Sequence, residues 1–121
     1  MALLKQPLIL LRLEAAVVLS ATVWGYAHMH FSWILFAALF FVPDLSMLGY
    51  TINVGLGASL YNLVHNYVLP ALVLAYGLTR GGSLPVAIAA IWIAHIAFDR
   101  LLGYGLKYPT HFKDTHMQRV A

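Results

Sequence analysis

Four stretches of roughly twenty residues, each almost wholly apolar, succeed one another with only short breaks between them. They run from about Leu8 to Met29, Phe31 to Tyr50, Gly55 to Leu78 and Ser83 to Gly103. A helix rises about 1.5 Å per residue and the hydrocarbon layer is about 30 Å thick, so each stretch is long enough to span it. Only 9% of the 121 residues are charged and 62% are hydrophobic, whereas a soluble domain carries about 25% charged residues. This balance excludes an ordinary soluble globule. It equally excludes a disordered chain, which is rich in charge and poor in aliphatic and aromatic residues.

The breaks carry helix-end chemistry: His28-Met29-His30, the run from Gly49 to Gly57 with Asn53, and Thr79-Arg80-Gly81-Gly82-Ser83. Ser83 suits an N-cap and Pro85 the first turn after it. The first stretch is long, holds Arg12 and Glu14, and lacks a small-x-small cleavage site, so it reads as a retained span. Short connections make consecutive helices antiparallel neighbours. The expected fold is therefore all-α: one polytopic domain over residues 1–121, with four transmembrane helices in an up-down bundle and a tail over residues 104–121.

Cations set the expected orientation. Lys5, Arg12, Arg100, Lys107, Lys113 and Arg119 fall on one side and only Arg80 on the other, which places both termini in the cytoplasm. The same asymmetry accounts for the net charge of +3. Orientation in a lipid bilayer explains it without nucleic acid, for which there is no folded basic patch.

Ionisable residues inside a span cost several kcal/mol, so each needs a partner, a water-filled cavity or a function. Asp44 comes directly after Pro43 at a point where the second helix must bend, and it is read either as a cap or as part of a site. Tyr61, Asn62, His65 and Asn66 share one face of the third helix, as polar glue between helices or as a site wall. His95 and Asp99 are four apart, which stacks them about 6 Å from each other on one helix face, as a metal-binding or acid-base pair. Arg100 is free to neutralise Asp99 or to meet a lipid phosphate. Glu14, Asp44, His65, His95 and Asp99 all fall in the cytoplasmic half of the bilayer, within about two helical turns of a common level. A cavity lined by several helices requires a shared depth; scattered polar glue does not.

By contrast, His28 and His30 in the first outer turn have no carboxylate beside them and read as solvated. Trp24, Tyr26, Trp33, Tyr76 and Trp92 suit an interface belt and core, and Ala87, Ala90 and Ala94 suit close helix packing. The tail, with Gly103, Gly105 and Pro109, cannot extend the fourth helix. It is read either as a basic segment drawn to anionic lipid or as a flap that brings His111 or His116 to the site.

The expected function is that of a small membrane enzyme on a lipophilic small molecule. Either a divalent ion such as zinc, held by Asp44, His65, His95 and Asp99 with Glu14 as general base, activates water, or the same groups run metal-free isomerisation or cyclisation. Proton- or ion-coupled transport, which in so short a chain requires a homo-oligomer, and a non-catalytic accessory role are the alternatives. No Gly-x-Ser-x-Gly, His-Glu-x-x-His, P-loop or dinucleotide fingerprint is present, nor any cysteine or heme-attachment motif.

The strings Phe41-Val-Pro-Asp-Leu-Ser-Met-Leu-Gly-Tyr50, Tyr61-Asn with His65, Ala94-His-Ile, Asp99-Arg-Leu-Leu-Gly-Tyr-Gly-Leu-Lys-Tyr108 and Thr115-His116 resemble a family of bacterial membrane proteins catalogued as domain of unknown function 4260. The resemblance implies a small multi-span protein of the bacterial cytoplasmic membrane and no particular reaction. A looser likeness to small membrane-bound metal-dependent hydrolases extends only to His and Asp at helix ends, since their His-Arg-x-x-Thr-His order is absent.

Overall fold

The computed structural model describes residues 5–108 and 115–119, which are helical apart from turns and one isolated bridge. Helix α1 (Pro7–His28) starts on a proline whose fixed φ suits a first turn. After the His30 turn, Ser32 caps α2 (Trp33–Leu39) by accepting the Leu35 N–H at 3.2 Å. Pro43 then ends α-helical geometry, and Val42–Thr51 winds as a tighter 3-10 segment. Asn53 caps α3 (Val54–Val64) by accepting the Leu56 N–H at 2.7 Å. After a break come α4 (Val68–Tyr76), a π turn (Gly77–Gly81), α5 (Ser83–Leu102) and the short α6 (His116–Arg119).

Four segments are long and apolar enough to cross a membrane: Pro7–His28, Trp33–Thr51, Val54–Gly81 and Ser83–Leu102. Their bounds lie close to those expected. Two of them are not continuous α-helices, however. The second changes to 3-10 winding from Val42, and the third breaks over residues 65–67. Ser83 is the first helical residue of α5 rather than its cap; Gly82, with φ 79°, occupies the cap position.

Helix α5 forms the centre. Its Ala87, Ala89, Ala94 and Ala97 are buried, and these small side chains let α1 and α4 pack closely against it. The first span therefore lies chiefly against the fourth. The 3-10 segment packs on α3, where a Cβ on Gly57 would collide with the Tyr50 ring, so only glycine permits that approach. Large apolar side chains such as Val17, Ile34, Leu45, Leu72 and Leu78 point outward, as a lipid-facing surface requires. Tyr26 instead fills the core and donates its hydroxyl hydrogen to the Ser32 carbonyl.

The end of α5 directs the tail. Gly103 is left-handed at φ 97°, its N–H donates to the Arg100 carbonyl, and the Tyr104 N–H donates to the Asp99 carbonyl at 2.8 Å. This is a Schellman motif, which stops the helix one turn beyond Asp99 and turns the chain back.

A four-residue His/Asp cluster beneath the tail

Each irregular stretch delivers one polar side chain to the same place. The 3-10 segment carries Asp44, the last turn of α3 leads into His65, and α5 supplies His95 and Asp99. One side-chain ligand atom from each lies within 4.8 Å of all the others. His95 Nε2 is 3.1 Å from Asp44 Oδ1, 3.2 Å from Asp99 Oδ2 and 3.3 Å from His65 Nε2. His65 Nε2 is 3.2 Å from Asp44 Oδ1 and 3.6 Å from Asp99 Oδ2. Both imidazoles are buried, at 3% and 1% exposure, while Asp44 and Asp99 retain 32% and 16%. Asp44 is thus not a helix cap; its carboxylate is directed to the two histidines.

Hydrogen bonding fixes the His65 ring. Its Nδ1 lies 2.9 Å from the Tyr61 carbonyl, which can only accept, so Nδ1 carries a proton. Its Nε2 faces the Asp44 carboxylate and the other imidazole, as a lone pair when the ring is neutral and as a donor when it is protonated. The Tyr61 ring stacks on His65 with centroids 3.6 Å apart, and its hydroxyl stands 3.5 Å from Asp99 Oδ2. Arg100 does not neutralise Asp99 in this arrangement. It lies over the Tyr67 ring and donates to the His65 carbonyl at 3.4 Å. His95 packs edge-on against Phe40, and its buried Nδ1 has no hydrogen-bond partner among the described residues.

The remaining expected site residues divide. Asn62 clamps the tail: its Nδ2 donates to the Lys107 carbonyl at 2.7 Å and its Oδ1 accepts the Lys107 N–H at 2.5 Å. Asn66 spans the helix break, donating to the Asn62 carbonyl at 2.6 Å and accepting the Val68 N–H at 2.8 Å. His116 braces the tail through Nδ1, which accepts the Leu106 N–H at 2.8 Å; it is not among the clustered ligand atoms. His111 lies outside the described residues. Glu14 is exposed and borders a separate small cavity with Tyr67 and Arg100, so the structure does not bring it to the cluster.

Sequence reasoning passed over Lys107. It is 5% exposed, pairs with Thr115 in an antiparallel bridge, and holds its ammonium 4.8 Å from the Tyr61 ring centroid. Burial pulls its pKa below the usual lysine value, and Asp99 and Asp44 oppose that shift. The tail thus packs against α3, with Thr115 and Met117 buried. Beneath it lies a cavity of about 490 Å³ bordered by Asp44, Tyr61, Asp99, Tyr104, Lys107 and Thr115. On the other side of the 3-10 segment, Leu39, Val42, Pro43, Leu45, Val64 and Trp92 are among those lining a second cavity of about 570 Å³.

No curated protein and no solved structure matches the chain. A family does: the one described as a domain of unknown function (DUF4260) matches residues 8–120, which takes in all four residues of the cluster together with Lys107 and Thr115. The chain belongs to the DUF4260 family.

Proposed function

We propose that Asp44, His65, His95 and Asp99 hold one divalent metal ion, with zinc the best fit, and that the protein is a membrane hydrolase acting on a lipophilic substrate. The spacing of the four ligand atoms carries this reading. Zinc bonds to imidazole nitrogen and carboxylate oxygen are about 2.0 to 2.2 Å, so the edges of a tetrahedral site measure roughly 3.3 to 3.5 Å. The five nitrogen–nitrogen and nitrogen–oxygen separations within the cluster run from 3.1 to 3.6 Å, and the two carboxylate oxygens lie within 4.8 Å of each other. A proton shared among these atoms joins one pair at a time, whereas a cation at their centre satisfies all four at once. With Nδ1 donating to the Tyr61 carbonyl, a neutral His65 would present its Nε2 lone pair to such a cation.

A zinc ion in such a set lowers the pKa of bound water to about 7 and polarises a carbonyl or phosphoryl oxygen. His65 and His95, buried and oriented by their helices, are the fixed ligands, and Asp99 is steadied by the Tyr61 hydroxyl. Asp44, at 32% exposure against 16% for Asp99, is the carboxylate that would be placed to act as base towards a water at such an ion. It takes the role of base that Glu14 is too remote to fill. The polar groups gather at one end of the spans, beside a cavity bordered by Asp44 and Asp99, which supports a one-sided pocket over a path through the membrane. By the distribution of cations that end faces the cytoplasm.

The test is hydrolysis of a panel of acyl and phosphoryl esters of long-chain alcohols by detergent-purified protein. Turnover that is abolished by a chelator, restored by zinc and lost in Asp44→Asn with metal still bound supports the reading. Turnover that survives chelation, or acidification of liposomes with no turnover, contradicts it.

A further inference from the structure

We propose that Asn66, Trp92 and Arg100 are positioning residues for the cluster: their side-chain donors hold the third span broken after His65 and so fix the direction of the His65 ring. The main-chain arrangement stands by itself, and its consequence for metal binding rests on the proposed metal site.

In a continuous α-helix the carbonyls of Asn62, Leu63, Val64 and His65 would accept from the main-chain N–H groups of residues 66–69. Here each accepts from a side chain. Asn66 Nδ2 donates to the Asn62 carbonyl at 2.6 Å and to the Leu63 carbonyl at 3.1 Å. Trp92 Nε1 donates to the Val64 carbonyl at 2.6 Å, and Arg100 donates to the His65 carbonyl at 3.4 Å. Across the gap, Asn66 Oδ1 accepts the Val68 N–H at 2.8 Å, and the Tyr67 carbonyl accepts the Ala71 N–H at 3.0 Å as α4 begins. An amide fills both roles at once, since its nitrogen carries two hydrogens and its oxygen accepts. Carbonyls at membrane depth must be bonded, and an unbroken helix would bond all four without any side chain. Three side chains committed to keeping a gap open point to something gained at the gap.

What is gained is His65. It is the C-cap of α3, with φ −109° and ψ 18°, and the one cluster residue outside a helical segment. Its ring lies back over Tyr61 with Nδ1 2.9 Å from the Tyr61 carbonyl, which leaves Nε2 facing Asp44 and His95. Trp92 and Arg100 belong to α5, the helix that also carries His95 and Asp99. With 3.6 residues per turn, these four residues fall on one side of α5. The main chain around His65 and the side chains that His65 meets are therefore referenced to a single helix. A ligand held in this way loses little freedom when an ion binds.

The experiment uses full-length, detergent-purified protein loaded with cobalt(II), whose visible absorption weakens when water takes the place of a protein ligand or adds to the set. Asn66→Leu, Trp92→Phe and Arg100→Met should each lower cobalt affinity about tenfold or more and weaken the absorption. Arg100→Lys, which keeps a charged donor, should retain both. In a His65→Ala background the same substitutions should cost nothing further, because they act through His65. Unchanged affinity in the otherwise unaltered protein, or an equal loss in both backgrounds, overturns the proposal. A metal-free readout comes from Trp92 alone in protein carrying Trp24→Phe and Trp33→Phe, which replace exposed side chains. The ultraviolet resonance Raman band of the indole N–H should report a hydrogen bond that is lost in Asn66→Leu, as the closing helix takes back the Val64 carbonyl. An indole still bonded in Asn66→Leu overturns the proposal likewise. If no cobalt binds, the metal reading falls and the indole band decides this one. Cobalt bound normally by all three variants leaves the metal site standing and removes this inference.

Discussion

The Nε2 atoms of His65 and His95 face each other at 3.3 Å, with the Asp44 carboxylate against both. Thirty residues separate the two histidines in the chain, and each arrives from a helix built for a different reason. His95 sits mid-helix among alanines on α5, whereas His65 sits where α3 stops. Two imidazoles and two carboxylates converge there in a largely buried space, and a cation among them would offset the repulsion between the carboxylates.

Metal removal should therefore unfold the site. A strong chelator is expected to lower the thermal midpoint of the detergent-solubilised protein, and added zinc to restore it. A ligand present at about a thousand times its dissociation constant contributes roughly 4 kcal/mol. The His95→Ala, Asp99→Ala double variant should show no response to either reagent. A midpoint indifferent to chelation in the unaltered protein would mean that the cluster is stable without a metal.

Replacing Asn62 by alanine should free the tail while leaving the cluster in place. The amide makes paired bonds to both main-chain groups of Lys107, and losing partners for buried polar groups costs about 1 to 3 kcal/mol. Faster cleavage by trypsin at Lys107, with metal content unchanged, is the expected outcome of limited proteolysis.

Gly57→Ala should damage the cluster indirectly. The new methyl group would meet the Tyr50 ring, pushing the 3-10 segment away from α3 and Asp44 away from His65. Overpacking of this kind costs about 1 to 3 kcal/mol. A lowered melting temperature together with reduced metal content would show it, whereas normal values for both would mean that the segment is not held through this contact.

Tail docking should weaken in acid. His116 accepts a hydrogen bond from the Leu106 N–H, and burial, aided by Arg100, pulls its pKa below the ordinary value of 6.5. The released tail binds the proton more readily, so docking is fully supported above about pH 6.5 and is lost as pH falls through the depressed value. Proteolysis of the tail should accelerate over that window. His116→Asn should flatten the dependence, because its side-chain oxygen accepts without titrating.

The sequence made much of this site legible because a membrane makes polar residues conspicuous. His95 and Asp99 declare their shared face by spacing alone, and depth adds Asp44 and His65. Depth also drew in Glu14, which shares the level but lies on the side of α1 towards Tyr67 and Arg100; level does not fix azimuth. The helix break over residues 65–67 was hidden, since Asn62, His65 and Asn66 also fit an uninterrupted helical stripe. Only the structure shows Asn66 bonding both sides of the gap. Lys107 escaped notice because Gly103 and Gly105 disguise its register, which is set by a tertiary clamp from Asn62.

Metal stoichiometry tests the central claim most directly. Elemental analysis of the detergent-purified protein beside the His95→Ala, Asp99→Ala variant should find about one divalent ion per chain in the first, with zinc predominant, and almost none in the second. Equal metal in both, or none in either after growth and purification with zinc supplied, would contradict the account.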